Sequence, residues 1–275
     1  DGTAAARARA RRALAAGDLF ETADSAIPLL LALQRLAPDD PGIAQALDEA
    51  RTALVAQGDA ALEAGDEDLD ALRAAQRRGA VLRKLWPQQP EVAAYLARVD
   101  RSEQAWDRNA QGEALLARGE LGEQGGGALG AFRAALQLRP EQARAQQGLA
   151  AVESGLIRRA EVAAQQGDFD AARTWLAHAE GVRQHPGTIS TARYRVEILR
   201  VERVRRLRDE GLIALGNANG LRVARERLAE MLRIAAPGDP ASVELRQRID
   251  LGPRLDGVGE RAGERLVEQV RGAVG

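Results

Sequence analysis

Apolar residues along this chain recur every three or four positions, which is the period of an amphipathic α-helix. Two stripes of this kind are carried first by Leu47, Ala50, Leu54 and Ala61 and then by Leu72, Ala75, Leu82 and Leu85. No segment alternates apolar and polar residues with the β-branched enrichment typical of a strand. The pattern therefore predicts an all-α fold.

Glycine and proline divide the helical stretches at regular intervals. The recurring positions are Gly17, Gly65, Gly119, Gly167 and Gly216, which alternate with Pro38, Pro87, Pro140, Pro186 and Pro237. From each glycine to its proline the steps are 21, 22, 21, 19 and 21 residues, and from proline to the next glycine they are 27, 32, 27 and 30. A unit of roughly 50 residues lies in the range of repeat proteins.

Each spacing fits one kind of helix. A glycine can adopt the left-handed conformation that ends a helix, and the acidic residue after it can cap the next helix. Proline cannot continue a helix but is tolerated at its first position, so Pro41 and Pro240 suit helix starts capped by Asp40 and Asp239. Each unit is therefore predicted to hold a short helix from glycine to proline and a longer, antiparallel helix from proline to glycine.

The repeat predicts a solenoid, or superhelix, of antiparallel helical hairpins over residues 1–251. Its units end near Pro38, Pro87, Pro140, Pro186 and Pro237. Residues 252–275 break the pattern, beginning with Gly252 and Pro253. We expect them to form either a capping helix that covers the last apolar face or a linker to another domain.

The third and fourth units share a pattern of small residues, an aromatic residue and a proline that closes the unit. In the third unit they are Gly112, Leu115, Gly119, Phe132, Ala135, Leu136 and Pro140. In the fourth unit they are Gly167, Phe169, Ala172, Leu176 and Ala179, with Pro186 two residues late. These positions resemble the tetratricopeptide repeat, whose units are shorter at roughly 34 residues. The resemblance, over residues 3–240, implies a degenerate superhelix whose concave face holds peptides or partner proteins.

Composition narrows the class of protein further. Alanine supplies 56 residues while Phe, Trp and Tyr total eight, so the helices can approach closely but each contact buries little area. The 39 basic and 40 acidic residues give a net charge of −1, which removes the usual case for a dedicated nucleic-acid or anionic-membrane binder. The absence of cysteine excludes disulfides, thiolate metal sites and a cysteine nucleophile. No apolar run approaches the roughly 18 residues of a membrane helix.

Residues 193–208 carry the sharpest concentration of charge, with seven arginines against two glutamates. The segment fits either a stripe that binds an acidic peptide or polyanion, or an ordinary solvated helix with ion pairs such as Glu197 with Arg200. Arg203 falls within an apolar stripe, so it either reaches a rim, pairs with a buried acid or faces a groove. Arg200, Arg203 and Arg206 are therefore candidate partner-binding residues.

Three tryptophans lie in or at the end of predicted helices: Trp86, Trp106 and Trp175. Such residues usually fill a core, but an indole ring also serves as a binding platform. Trp106 and Trp175 therefore join the candidate partner-binding residues.

Three motifs that suggest chemistry lack the required context. Residues 125–130 satisfy G-x-G-x-x-G without the preceding strand of a dinucleotide site. Residues 66–70 cluster carboxylates without the later glycine and glutamate of a calcium loop, so helix capping explains them. His178 and His185 lie seven residues apart, whereas metal-binding pairs on a helix usually lie about four apart. We therefore expect no catalytic, cofactor-binding or metal-binding residue.

These observations predict a non-catalytic module for protein–protein interaction or ligand sensing, with a protein or peptide partner. We expect it to be a soluble region of a larger membrane-anchored or secreted bacterial protein, either a signalling or an assembly scaffold. A periplasmic or extracytoplasmic location is favoured over a cytoplasmic one. Because the chain does not start with methionine, we also expect that an upstream signal peptide, membrane anchor or other domain was removed.

Two alternative functions stay open. One is an enzyme that acts on an extended polymer in a helical cleft, with His178 assisting scattered carboxylates. The other is a polyanion binder that uses the 193–208 helix.

Overall fold

The computed structural model describes residues 2–122, 125–183, 186–217 and 220–251. Within these ranges the chain is helical apart from short connections, and it contains no strand. The predicted all-α class is therefore confirmed. The predicted capping helix or linker at 252–275 lies outside the described residues.

Long and short helices alternate along the chain from α3 to α10. In chain order, the helices are α1 Gly2–Ala16, α2 Ala26–Leu36, α3 Pro41–Ala64, α4 Leu69–Leu85, α5 Pro90–Ala117, α6 Gly127–Leu138, α7 Ala143–Gln165, α8 Phe169–Glu180, α9 Pro186–Leu215, α10 Gly220–Ile234 and α11 240–251. The long helices α3, α5, α7 and α9 have 24, 28, 23 and 30 residues. This alternation agrees with the lengths that the glycine and proline spacing predicts.

Aspartate caps start the helices that follow two of the proline pairs. Asp40 accepts hydrogen bonds from the N–H groups of the second and third residues after it, at 2.9 and 3.3 Å. Asp239 does the same at 3.0 and 3.2 Å. Both predicted caps are confirmed, and each satisfies backbone donors that the first helical turn leaves without a partner.

Three of the predicted helix-ending glycines are left-handed. They are Gly17, Gly119 and Gly167, with φ of 73°, 74° and 87°. The prediction is wrong at Gly65, where φ is −67°, and at Gly216, which is not left-handed either. Glycine is needed at position 65 for a different reason, because a Cβ atom would lie 3.1 Å from the Cα atom of Leu72 in α4. Asp68, rather than the acidic residue directly after Gly65, caps α4.

The chain divides into two units, Asp1–Val152 and Glu153–Gly275, with the boundary inside α7. In the first unit each helix from α1 to α6 contacts the next one along the chain, and α3 also contacts α5. Its apolar core extends from Ala10 in α1 to Val99 in α5. The prediction of one continuous array over 1–251 stays a prediction.

Glycines set the spacing between helices of the first unit. A Cβ atom at Gly58 in α3 would lie 2.5 Å from Cζ of Tyr95 in α5, so only glycine fits against this ring. Tyr95 is fully buried and donates a hydrogen bond to the Ala75 carbonyl at 2.8 Å. Glycine, as well as the abundant alanine, therefore allows the helices to pack closely.

The second unit is built around α9, which contacts α8 and α10. One core cluster joins α7, α8 and α9 through residues such as Ala160, Phe169 and Val196. Another joins α9, α10 and α11 through residues such as Leu207 and Leu245. The helices α8, α9 and α10 provide the walls of the groove described next.

Candidate functional site

A groove follows one face of α8 in the second unit. A cavity of about 380 Å³ lies between Phe169, Arg173, Leu176 and Ala177 of α8 and Arg193, Val196, Glu197 and Arg200 of α9. The lining positions recur every three or four residues on both helices, so each helix presents a single face to the cavity.

A second cavity of about 320 Å³ adjoins the first. Its walls are residues 166–168 in the α7–α8 turn, the first residues of α8, and Glu230, Arg233 and Ile234 of α10. Phe169 and Arg173 line both cavities. The two cavities together are called the α8 groove below.

The floor of the α8 groove is apolar. Phe169, Leu176 and Val196 are only 3%, 4% and 7% exposed and belong to one core cluster. Their side chains are therefore held in place by packing, which makes the floor a preformed surface for an apolar group of a ligand.

Two arginines of the groove already have partners. Arg193 forms an ion pair with Glu180 at 2.6 Å. Arg200 binds both carboxylate oxygens of Glu197 and donates to the Ile234 carbonyl at 2.9 Å, at the end of α10. The hydrogen bonds between Arg200 and Glu197 raise the pKa of the arginine and lower the pKa of the glutamate. Arg200 therefore acts as a support for the groove wall.

The other two arginines are available to a ligand. Arg233 lines the second cavity and forms no hydrogen bond or ion pair with the described residues. Among the residues that the structure covers, Arg173 pairs only with Asp170, three residues earlier on the same helix, and the two side chains are 67% and 83% exposed. Exposed pairs of this kind contribute little to stability, about 1 kcal/mol at most. A ligand anion could therefore replace Asp170 at small cost.

Of the three arginines predicted to bind a partner, which are Arg200, Arg203 and Arg206, only Arg200 lines the groove. Arg203 pairs with Glu230 of α10 at 2.5 Å, so its partner is an acid as one of the three alternatives has it, but this acid is half-buried rather than buried. Arg206 is exposed and has no ion pair among the described residues. Sequence reasoning missed Arg173, although it falls in the α8 stripe at the spacing of Phe169 and Leu176.

Most of the positive charge of the 193–208 segment is neutralised. Carboxylates of the described residues lie within 4 Å of five of its seven arginines, which are Arg193, Arg195, Arg200, Arg203 and Arg208. Their partners lie on α7, α8, α9 and α10, so the arginines point in several directions around α9. In the described part of the chain this helix therefore presents no continuous basic stripe.

The two tryptophans predicted to bind a partner, Trp106 and Trp175, are half-buried, and an arginine covers each ring. The guanidinium carbon of Arg144 lies 4.1 Å from the ring centroid of Trp106, and that of Arg159 lies 4.9 Å from Trp175. His178 also packs against Trp175, with ring centroids 5.9 Å apart. Trp106 belongs to the first unit, and Trp175 does not line the α8 groove, so neither contributes to this site.

A buried polar network links three parts of the first unit. Arg139, at the end of α6, donates to Asp66 in the α3–α4 turn at 3.1 Å and to Ser102 of α5 at 2.5 Å. Gln142 donates to Asp66 at 3.4 Å and accepts from Asn109 at 2.6 Å. Burial raises the pKa of Asp66, even though Arg139 opposes the shift. Asp66 is therefore a structural residue rather than the solvated helix-start acid that the sequence predicts.

The second unit has a buried ion pair outside the groove. Glu153 of α7 is 2% exposed at its side chain and binds Arg183 through two hydrogen bonds of 3.0 Å. It also accepts a hydrogen bond from Thr188, near the start of α9, at 2.9 Å. These bonds fasten the α8–α9 connection to α7.

The described ranges contain neither a metal-binding cluster nor a membrane-spanning helix. No group of three or more His, Cys, Asp or Glu residues in them is placed to hold a metal ion. His185, the second predicted histidine, lies outside them. Among the residues that the structure covers, no helix combines the length and apolar character needed to cross a membrane.

Comparison with known proteins adds no family. The chain matches no protein-family model, no curated protein and no solved structure. The function of this chain is therefore inferred from its residues and their geometry.

Proposed function

We propose that this chain is a non-catalytic protein-interaction module, an array of antiparallel helical hairpins similar to tetratricopeptide repeats, within a larger signalling or assembly scaffold. The α8 groove carries the proposal. It combines a buried apolar floor with two arginines that are free, or nearly free, to bind a partner. The chain-order packing of α1 to α6, with α3 beside α5, supports the repeat arrangement.

The size of the groove fits side chains of a polypeptide better than a large cofactor. Each cavity, at about 380 or 320 Å³, is near the lower end of the range for ligand pockets, roughly 300–1,000 Å³. Two adjoining pockets along one helix suit successive side chains of a bound segment, as in other grooves that bind peptides.

Selection of displayed random peptides on the immobilised full chain tests this function. We expect specific peptides to be selected, and Ala177→Trp, which fills the first cavity, to abolish their binding in fluorescence anisotropy. Ala114→Trp on the exposed face of α5 is the matched control and should bind as the original chain does. Selection of no peptide, or equal binding by both variants, would contradict the proposal.

A further inference from the structure

Two arginines of the α8 groove have no strong hydrogen-bond partner in the described part of the chain. Arg233 makes no bond to the described residues, and Arg173 shares only an exposed ion pair with Asp170. Both guanidinium groups line the second cavity. An arginine can bind a carboxylate through two parallel hydrogen bonds, which gives both strength and direction.

Three carboxylates line the same cavity, and one of them, Asp170, shares the exposed ion pair with Arg173. Asp168 accepts from the Ala171 N–H at 2.9 Å, as the cap of α8. Glu230 pairs with Arg203 at 2.5 Å. Among the charged residues that line this cavity, Arg233 is the one without a bond to the described residues, so an acidic ligand meets a free cation, whereas a basic ligand meets only carboxylates that already hold a bond.

The apolar floor favours a ligand that is larger than a simple anion. Phe169 lies at the junction of the two cavities, and Leu176 and Val196 continue the floor through the first one. A free phosphate or carboxylate would leave this surface unused. A peptide segment that places an apolar side chain on the floor and an acidic one between the arginines would use both.

From these contacts we propose that the α8 groove binds a segment of a partner protein in which an Asp or Glu side chain stands close to an apolar side chain. The acidic side chain binds Arg173 and Arg233, and the apolar side chain packs on Phe169, Leu176 and Val196. This inference rests on the interaction function proposed above and specifies the chemistry of its partner.

The test uses the peptides selected on the full chain, with two double variants of equal net charge. Arg173→Gln/Arg233→Gln removes both available arginines of the groove. Arg205→Gln/Arg206→Gln removes two exposed arginines of α9 that have no ion pair in the described part of the chain. Replacing each Glu of a selected peptide with Gln supplies a second measurement that does not alter the protein.

We expect acidic residues to be enriched next to apolar ones in the selected peptides. Affinity should fall about tenfold or more in the groove variant, as expected for loss of charged hydrogen bonds. It should change by less than about twofold in the α9 control, whose charges lie outside the groove. The Glu-to-Gln peptide should lose affinity for the original chain but not for the groove variant.

Two results would overturn the inference while leaving the interaction function standing. One is selection of neutral or basic peptides that Ala177→Trp still excludes. The other is an equal loss in the two double variants, which would indicate only general attraction between charges. If no peptide binds the chain at all, the interaction function itself fails.

Discussion

The fit between Gly58 and Tyr95 makes a strong prediction about stability. In an ordinary helix interior, Gly→Ala stabilises a protein by about 1 kcal/mol because alanine is the better helix former. At Gly58 the new methyl carbon would lie 2.5 Å from Cζ of Tyr95. Tyr95 cannot easily move away, because it is fully buried and its hydroxyl is bonded to the Ala75 carbonyl.

The magnitude follows from three opposing effects. Overpacking of a core by one methyl group costs roughly 1–3 kcal/mol. Displacing the tyrosine weakens a buried hydrogen bond worth about 1 kcal/mol, and the gain in helix propensity returns about 1 kcal/mol. We therefore expect Gly58→Ala to lower the free energy of unfolding by about 2 kcal/mol.

Denaturant unfolding followed by far-UV circular dichroism measures the effect, with two other glycines as a graded control. A Cβ atom at Gly79 would lie 3.1 Å from the end of the flexible Leu96 side chain and at an ordinary contact distance of 3.5 Å from the ring of Tyr95, and one at Gly187 would meet nothing within 4 Å. Gly79→Ala should be close to neutral, and Gly187→Ala neutral or stabilising. If Gly58→Ala were as stable as Gly187→Ala, the contact with Tyr95 would not set the helix spacing.

Three further predictions concern buried polar groups. Burial, with the Asp59 carboxylate nearby, raises the pKa of Tyr95 from 10.0 to about 12. The free energy of unfolding should therefore fall as the pH rises between these values, because Tyr95 ionises there only in the unfolded chain. Tyrosinate absorbance in a Tyr194→Phe background should report the raised pKa. Glu153→Ala should lower the free energy of unfolding, measured with denaturant, by about 3 kcal/mol because it leaves Arg183 without its buried partner. The control Asp70→Asn, which removes an exposed ion pair with Arg73, should change it by less than about 1 kcal/mol. Burial raises the pKa of Asp66 above 3.8. The contribution of Asp66 to the free energy of unfolding is therefore present below pH 3.8 and declines as the pH rises through the folded-state pKa. Asp66→Asn should remove this decline from a plot of the free energy of unfolding against pH.

Local signals in the sequence predicted the helices well. The caps at Asp40 and Asp239 depend only on residues two and three positions away, so their pattern is complete within one turn of chain. The glycine at position 65 was misread because its constraint comes from Leu72 in another helix. A glycine that permits close approach and a glycine that permits a left-handed turn look the same in a sequence.

The groove and the buried network could not be predicted in the same way. Asp66 and Arg139 are 73 residues apart, and nothing near either one indicates the other. The walls of the α8 groove come from three helices, so its existence depends on how those helices pack. In the sequence, Arg173 was the signal that pointed to the groove, because it is a charged residue within the apolar stripe of α8.

The ring of Phe132 in α6 has a consequence for how this sequence can change over evolutionary time. A Cβ atom at Gly112 in α5 would lie 2.7 Å from this ring, and one at Gly148 in α7 would lie 2.5 Å from its Cζ. A larger residue at either glycine is tolerated only after the aromatic ring has become smaller, and a smaller ring leaves a cavity until a glycine has become larger. Positions 112, 132 and 148 should therefore vary together among descendants of this chain, with each single step disfavoured.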